Sequence, residues 1–292
     1  MLDTGKLREL APEEMGLLAG RPDHDERLFA AQVGRATSLG RVAEPPFLPL
    51  LDLEEALGSR EPLAALAGMT REGRPVVIDL LAPETSHVLV VACHAWGKST
   101  LLRTLVGSLC LWARPWQMGV LGIDFSGNEL SILEAVPHRI APLACDVSEA
   151  ASLLTWLEEE TEARLDRQIA SPAIVLVVDD MGWLADPDQA SSLRRMARML
   201  RIGRRAGMHV LAASQQPLPE ALAPLLDGQG SVMAEGRDGP TRGVFTFRTR
   251  GWRTTAQAAY LPARDLNRLV ARISGRAHGP GRTNVQAGAG EP

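Results

Sequence analysis

From Pro75 onward the chain alternates strand-sized apolar runs with amphipathic stretches of helix length, and this alternation limits the fold more than any other feature. The runs PVVIDLL, SHVLVVA, MGVLGID, AIVLVVD and MHVLAAS are rich in Val, Ile and Leu. Strands with no polar face must be covered on both sides, and the longer intervals between them suit crossover helices. The expected fold is therefore α/β, with βαβ units around a mostly parallel central sheet. Helices are expected at about Lys98–Trp112, Val147–Ile169 and Ser191–Arg205. GVFTFRT and RTTAQAAYL are further strand candidates, and ARDLNRLVARI reads as a closing helix.

Outside this core the sequence changes character. Residues 1–60 read as an N-terminal appendage and connector, with EPPFLPLL (Glu44 to Leu51) extended because Pro45, Pro46 and Pro49 forbid a continuous helix. The main domain is expected over 61–274, and the Gly-rich stretch 275–292 reads as a disordered tail. PEALAPLL after Pro217 is helix-like, and glycines punctuate the segment that follows it (Gly228, Gly230, Gly236, Gly239).

Composition narrows the function classes. Hydrophobic residues at 45% and charged residues at 23% are globular values. The apolar runs are far shorter than the roughly 20 residues of a membrane helix, and MLDTGKLREL lacks the apolar centre of a signal peptide. Cys93, Cys110 and Cys145 are widely spaced with no CxxC, which argues against a disulfide framework or a zinc site and suits a reducing, cytoplasmic setting. The net charge of −4 conceals an asymmetry: between Leu193 and Arg272, 14 arginines face five acids. Such a segment suits either a polyanion partner or a solvated helix face. Lys6 and Lys98 are the only lysines among 31 basic residues.

Lys98 lies in the strongest chemical signal, ACHAWGKST, which joins the run HVLVVA to the helix beginning STLLRTLVGSL. In a phosphate-binding loop GxxxxGK[ST], backbone N–H groups wrap the phosphates, the lysine neutralises them and the following hydroxyl reaches magnesium. The loop would use Cys93, His94, Ala95, Trp96, Gly97, Lys98, Ser99 and Thr100, with Lys98 on the β- and γ-phosphates and Ser99 on the metal. Ala92 stands where the first glycine is usual, and Ala95 and bulky Trp96 stand where small or glycine residues are usual, so strain is expected if Ala92 needs a glycine-like conformation.

Two strand ends complete the candidate site. AIVLVVDD places Asp179 to hold magnesium and Asp180 to orient and deprotonate an attacking water. Asp180 is one methylene shorter than the usual glutamate, so its reach falls about 1 Å short and the reaction is expected to slow. MHVLAASQQ ends in Ser214, Gln215 and Gln216, of which Gln215 is the candidate to sense the γ-phosphate.

These motifs in this order resemble the FtsK/SpoIIIE family of P-loop motor ATPases over roughly Gly68 to Arg272. GMTREGRPVVIDL leading into the phosphate loop, LGIDFSGNELSILEAVPH, LVVDDMGWL, GRRAGMHVLAASQQP and the closing TRGVFTF and RTTAQAAYLPARDLNRLV carry the resemblance. It implies a RecA-like domain that binds ATP and Mg2+, assembles into a hexameric ring, hydrolyses ATP between subunits and pulls double-stranded DNA through a central channel. It also suggests Arg242, in TRGVF, as an inter-subunit arginine acting on the transferred phosphoryl group. Arg194, Arg195, Arg198, Arg201, Arg204 and Arg205 would contact phosphates or a neighbouring subunit, or form a solvated face. Three functions stay open at this point: a DNA translocase, a type VII-like protein secretion ATPase of the same family, and a nucleotide-binding assembly module with slow turnover.

Overall fold

A computed structural model describes residues 48–58, 60–215, 219–222, 230–236 and 242–277. The appendage before Leu48, Gln216, the second half of PEALAPLL with Gly228 and Gly239, and the tail beyond Ala277 lie outside the described residues. In chain order the elements are β1 (Leu48–Pro49), α1 (Leu50–Leu57), β2 (Ala64–Met69), β3 (Pro75–Asp79), β4 (His87–Val91), α2 (Lys98–Trp112), β5 (Met118–Ile123) and α3 (Ile132–Ala135). They continue with α4 (Val147–Arg167), β6 (Ala173–Val178), α5 (Ala190–Ile202), β7 (Met208–Ser214), β8 (Ser231–Gly236), β9 (Val244–Arg248), β10 (Arg253–Tyr260) and α6 (Leu266–Ala277).

The strands form one sheet in the order β3-β2-β10-β9-β8-β4-β7-β6-β5, with β1 added beside β10. Strands β8, β4, β7, β6 and β5 run parallel to one another. Strands β9, β10, β2 and β3 are joined antiparallel. The expectation of a mostly parallel sheet is therefore corrected: the sheet is mixed. The cause lies in the connections: short turns join β2 to β3 and β9 to β10 and return the chain antiparallel, so even the β-branched PVVID of β3 is an antiparallel edge strand with alternating exposure. AALAGM in β2 is Ala-rich, and β10 is exposed near its start and buried mainly in its second half.

Both faces are covered. Helices α1, α2, α3 and α6 pack on one side with Leu50, Leu102, Leu105, Leu109, Ile132 and Leu269. Helices α4 and α5 cover the other with Leu154, Leu157, Met196 and Leu200. Helix α4 starts with a reciprocal cap: Asp146 accepts from the Glu149 N–H at 2.8 Å, and the Glu149 carboxylate accepts from the Cys145 N–H at 2.8 Å. It ends at Arg167 because Gln168 turns left-handed, at φ 57°. Among the described residues all three cysteines are free, and no helix is long and apolar enough to cross a membrane.

The connector reading needs a further correction. Leu50 and Leu51 are fully buried at the start of α1, with Pro49 immediately before the helix, where a missing N–H costs nothing. Glu54 of α1 accepts hydrogen bonds from Ser108 and Trp112 of α2 and from Arg60. The same Ser108 hydroxyl accepts from the Leu66 N–H of β2 at 2.8 Å. At the other end of the chain, Gly275–Ala277 continue α6 rather than beginning a tail.

Candidate functional site

Parallel strands deliver their C-terminal ends to one edge, and the chemistry collects there. The loop after β4, Asp179 after β6 and Gln215 after β7 share that edge, because β7 lies between β4 and β6. Backbone bonds lock the three ends together: Ala92 N–H to Ser214 O at 3.4 Å, Met181 N–H to Ala213 O at 2.9 Å and Asp179 N–H to Ile123 O at 3.1 Å. Gln215 is exposed beside the loop.

Lys98 is buried at the first turn of α2, and its Nζ donates to Ala92 O and Cys93 O, both at 2.9 Å. The ammonium has three donors, so one remains for a phosphate while two hold the loop in its wrapped form. Burial lowers the Lys98 pKa, and the neighbouring Asp180 and Asp179 oppose that shift. Gly97, at φ 100°, precedes α2 without any side-chain cap, which leaves the first-turn N–H groups of α2 available to an anion. Ala92 takes no glycine-like conformation, and the left-handed alanine of the loop is Ala95, at φ 60°. A left-handed alanine costs about 1 kcal/mol, so the loop's strain sits one residue before Trp96.

Trp96 neither fills the loop nor stands over it. Its indole packs against the apolar cluster beneath β8 and β9, and Nε1–H donates to Val244 O at 3.4 Å. Gly236 of β8 makes the room: a Cβ there would lie 2.1 Å from Trp96 Cδ1. Cys93 and His94 are exposed on the loop. The Thr100 hydroxyl accepts from Arg103 at 3.2 Å, and Arg103 is also paired with Glu129 at 3.1 Å.

Asp179 has one oxygen, Oδ1, buried without a hydrogen-bond donor. Burial raises its pKa, the Ser99 hydroxyl on the same carboxylate opposes this, and Asp124 and Glu129 add to the rise. A desolvated acid beside a hydroxyl, with a lone pair unsatisfied, is a donor set that fits a magnesium ion. Asp180 is held by the Gly182 N–H at 2.9 Å, which fixes its carboxylate at the same edge.

Asp124, at the end of β5, was not among the expected site residues, yet it shapes the wall beside Asp179. It is almost completely buried and accepts from Ser126 N–H at 3.0 Å, Ser126 Oγ at 2.6 Å, Gly127 N–H at 3.2 Å and Leu130 N–H at 2.8 Å. The signal was present in IDFSGN, an acid followed by Ser-Gly after an apolar strand, which is the pattern of a carboxylate-capped turn. Arg242 is exposed at the turn entering β9. Since β9 starts opposite the end of β8, with Phe245 facing Gly236, Arg242 lies on the phosphate-loop edge.

The arginine stripe is divided. Arg195 and Arg198 pair with Glu158 and Glu162 of α4, Arg248 with Glu235, Arg268 with Asp265 and Arg272 with Glu55. Arg204 donates to Leu81 O at 3.4 Å. Arg194, Arg201 and Arg205 are exposed.

A glycine-initiated helix behind a lysine loop, with an acid at a neighbouring strand end, defines the class: a P-loop nucleotide-binding fold. Residues 51–172 match the FtsK/SpoIIIE family. The chain is 31% identical over 192 residues to the DNA translocase SftA of Bacillus subtilis, covering 58% of this chain and 20% of that protein. It therefore spans about a fifth of that relative's length. Among solved structures, Thermomonospora curvata EccC (ATPases 2 and 3) in complex with a signal sequence peptide superposes with a TM-score of 0.61 at 24% identity. That superposition covers 75% of this chain and 44% of EccC. The pCW3 conjugation coupling protein TcpA, in its monomer form with ATPγS, superposes with a TM-score of 0.63 at 18% identity over 79% of this chain and 75% of TcpA. Residues 51–172 thus match the FtsK/SpoIIIE family, and the fold is similar to those of EccC and TcpA.

Proposed function

We propose that the chain is an ATP-driven motor that translocates double-stranded DNA, acting as a ring of subunits with ATP held at the β4–α2 loop. The observation that carries this reading is the convergence of Lys98, Ser99 and the under-coordinated Asp179 on one sheet edge. Ser99 and Asp179 would hold a magnesium ion, which supplies positive charge to the phosphates. Lys98 and the α2 N-terminus bind the phosphates, and Asp180 takes the proton of the attacking water. Gln215, at the end of β7, is suited to sense the γ-phosphate, and Arg242 to add charge stabilisation across a subunit boundary.

DNA as cargo is supported by the relatives' printed activity and by the distribution of arginines. Arg250, Trp252 and Arg253 are exposed around the β9–β10 turn, Arg194 and Arg201 along α5, and Arg205 in the turn just after it. Exposed guanidinium groups that meet no carboxylate among the described residues are available to a phosphate backbone. The deciding experiment is ATP turnover by the intact protein, with and without long duplex DNA, at low and at moderate salt. Stimulation that falls as salt rises supports the proposal. Turnover indifferent to DNA at every salt concentration removes DNA as the cargo and leaves protein movement as the function to test. Magnesium-ATP binding that drives ring assembly with phosphate release at background would mark a slow assembly module.

A further inference from the structure

Trp96 is the feature of the phosphate loop that the proposed chemistry does not absorb. Its flanking residues, Ala95 and Gly97, both have positive φ, at 60° and 100°. This double reversal carries the indole away from the helix N-terminus and onto the sheet, where it reaches two strands at once. On β8 it lies over Gly236, whose absent side chain leaves no slack: an added Cβ would meet Trp96 Cδ1 at 2.1 Å, Nε1 at 2.5 Å and Ala92 Cβ at 2.6 Å. On β9 its N–H holds the Val244 carbonyl, two residues after Arg242.

A second bond fixes the same turn from its other side. Gly243 O accepts from the Ala258 N–H at 2.8 Å and from Gln257 Nε2 at 3.3 Å. The segment entering β9 is therefore held between β10 and the loop's own indole. In sequence, 148 positions separate Trp96 from Val244, so the contact is wholly tertiary.

We propose that Trp96 is a positioning residue, a clamp that fixes the phosphate loop to the start of β9 so that Arg242 keeps a constant placement relative to the bound phosphates. Gly236 is its obligatory partner. The inference rests on the reading of the loop as an ATP site, and it adds a residue that acts through Arg242 without touching the reacting atoms. A displacement of about 1 Å at a charge-stabilising group can cost on the order of a hundred-fold in rate, so a modest loss of registry should be visible in turnover.

The test is ATP turnover by the full chain carrying Trp96→Ser, Trp96→Phe, Gly236→Ala, Arg242→Ala and the pair Trp96→Ser with Arg242→Ala. Expected is a loss of kcat of about ten-fold or more in Trp96→Ser and Gly236→Ala, with the KM for ATP changed less than about three-fold, and a smaller loss in Trp96→Phe, which keeps a ring over Gly236 but loses the N–H bond to Val244. The pair should be no slower than Arg242→Ala alone, because both changes remove one effect. Wild-type kcat in Trp96→Ser, or a pair whose losses multiply, overturns the clamp. Amide exchange at Val244–Arg248 separates this from failure of the ATPase reading. If the wild type turns over no ATP, that reading falls. Faster exchange of those amides in Trp96→Ser, with β6 and β7 unchanged, still supports the clamp, and unchanged exchange overturns it.

Discussion

The two halves of the sheet are built by different rules. In the parallel half, β4, β6 and β7 are buried almost throughout, as strands covered on both faces must be. All of them end at one edge, and the phosphate loop, the acids and Gln215 sit there. In the antiparallel half, β3 alternates exposed and buried positions, and β10 is exposed near its start and buried mainly in its second half. This half gives Arg242 its position and takes the Trp96 N–H at Val244, with β8 at the junction seating the indole on Gly236, and β2 meets α1 through the Ser108 hydroxyl bonded to Glu54. The contrast teaches that one half supplies the reactive groups and the other fixes where a loop and an arginine stand.

If that division is sound, the largest effect on chemistry comes from the parallel half. Lys98→Ala is expected to lower ATP turnover at least about a hundred-fold while denaturant midpoints move little, since the loss is of a charge at the phosphates. Asp180→Asn should cost about a hundred-fold in kcat with ATP affinity retained, read by turnover beside equilibrium binding. Comparable turnover in either variant would break the assignment.

The antiparallel half should answer in stability instead. Glu54→Ala strands Arg60 and removes the acceptor of Ser108 and Trp112, and about 3 kcal/mol should be lost in urea unfolding. At a temperature where the variant is still folded, its KM for ATP should match the wild type. A large KM change would show that α1 reaches the site through α2.

Acid sharpens the comparison from a third place, the edge opposite the phosphate loop. His87 and His209 are buried there, and His87 Nδ1 accepts from the Val210 N–H at 3.1 Å. Burial, with His209 close by, lowers the His87 pKa to about 3. The unfolded chain binds a proton near pH 6.5 while the folded chain resists until about pH 3, so stability is present above 6.5 and is lost as pH falls through that window. The slope should be about 1.4 kcal/mol per pH unit from His87, measured by denaturant unfolding at pH 7 and pH 5. His209, also lowered by burial, steepens it. The smallest expected change is Ala95→Gly, which relieves the left-handed alanine and should raise stability by up to about 1 kcal/mol without altering the denaturant slope. A loss there would mean that Ala95 holds Trp96 over Gly236.

The sequence was most legible where short-range rules dominate. The helix from Lys98 to Trp112 follows from a loop glycine and an apolar periodicity, and the observed limits agree with the expected ones. The parallel strands announce themselves as unbroken Val, Ile and Leu runs. Asp179 and Asp180 follow an apolar strand, so their shared edge with Lys98 could be inferred once the strands were parallel. By contrast β2 was illegible, because AALAGM has neither a β-branched run nor alternation and becomes a strand only by pairing with β3 and β10. The arginine stripe gave its spacing but not its fate, since Arg195 and Arg198 meet glutamates that lie on α4.

By itself, then, the sequence determined the βαβ core, the phosphate loop and the two acids, because local periodicity and turn chemistry act over a few residues. Only the tertiary structure decided that the sheet is mixed, that Ala95 rather than Ala92 carries the strained backbone, and that Trp96 leaves the loop for Gly236 and Val244. Those outcomes depend on distant strands pairing and on whether space exists beside a glycine, and no short stretch of sequence encodes either.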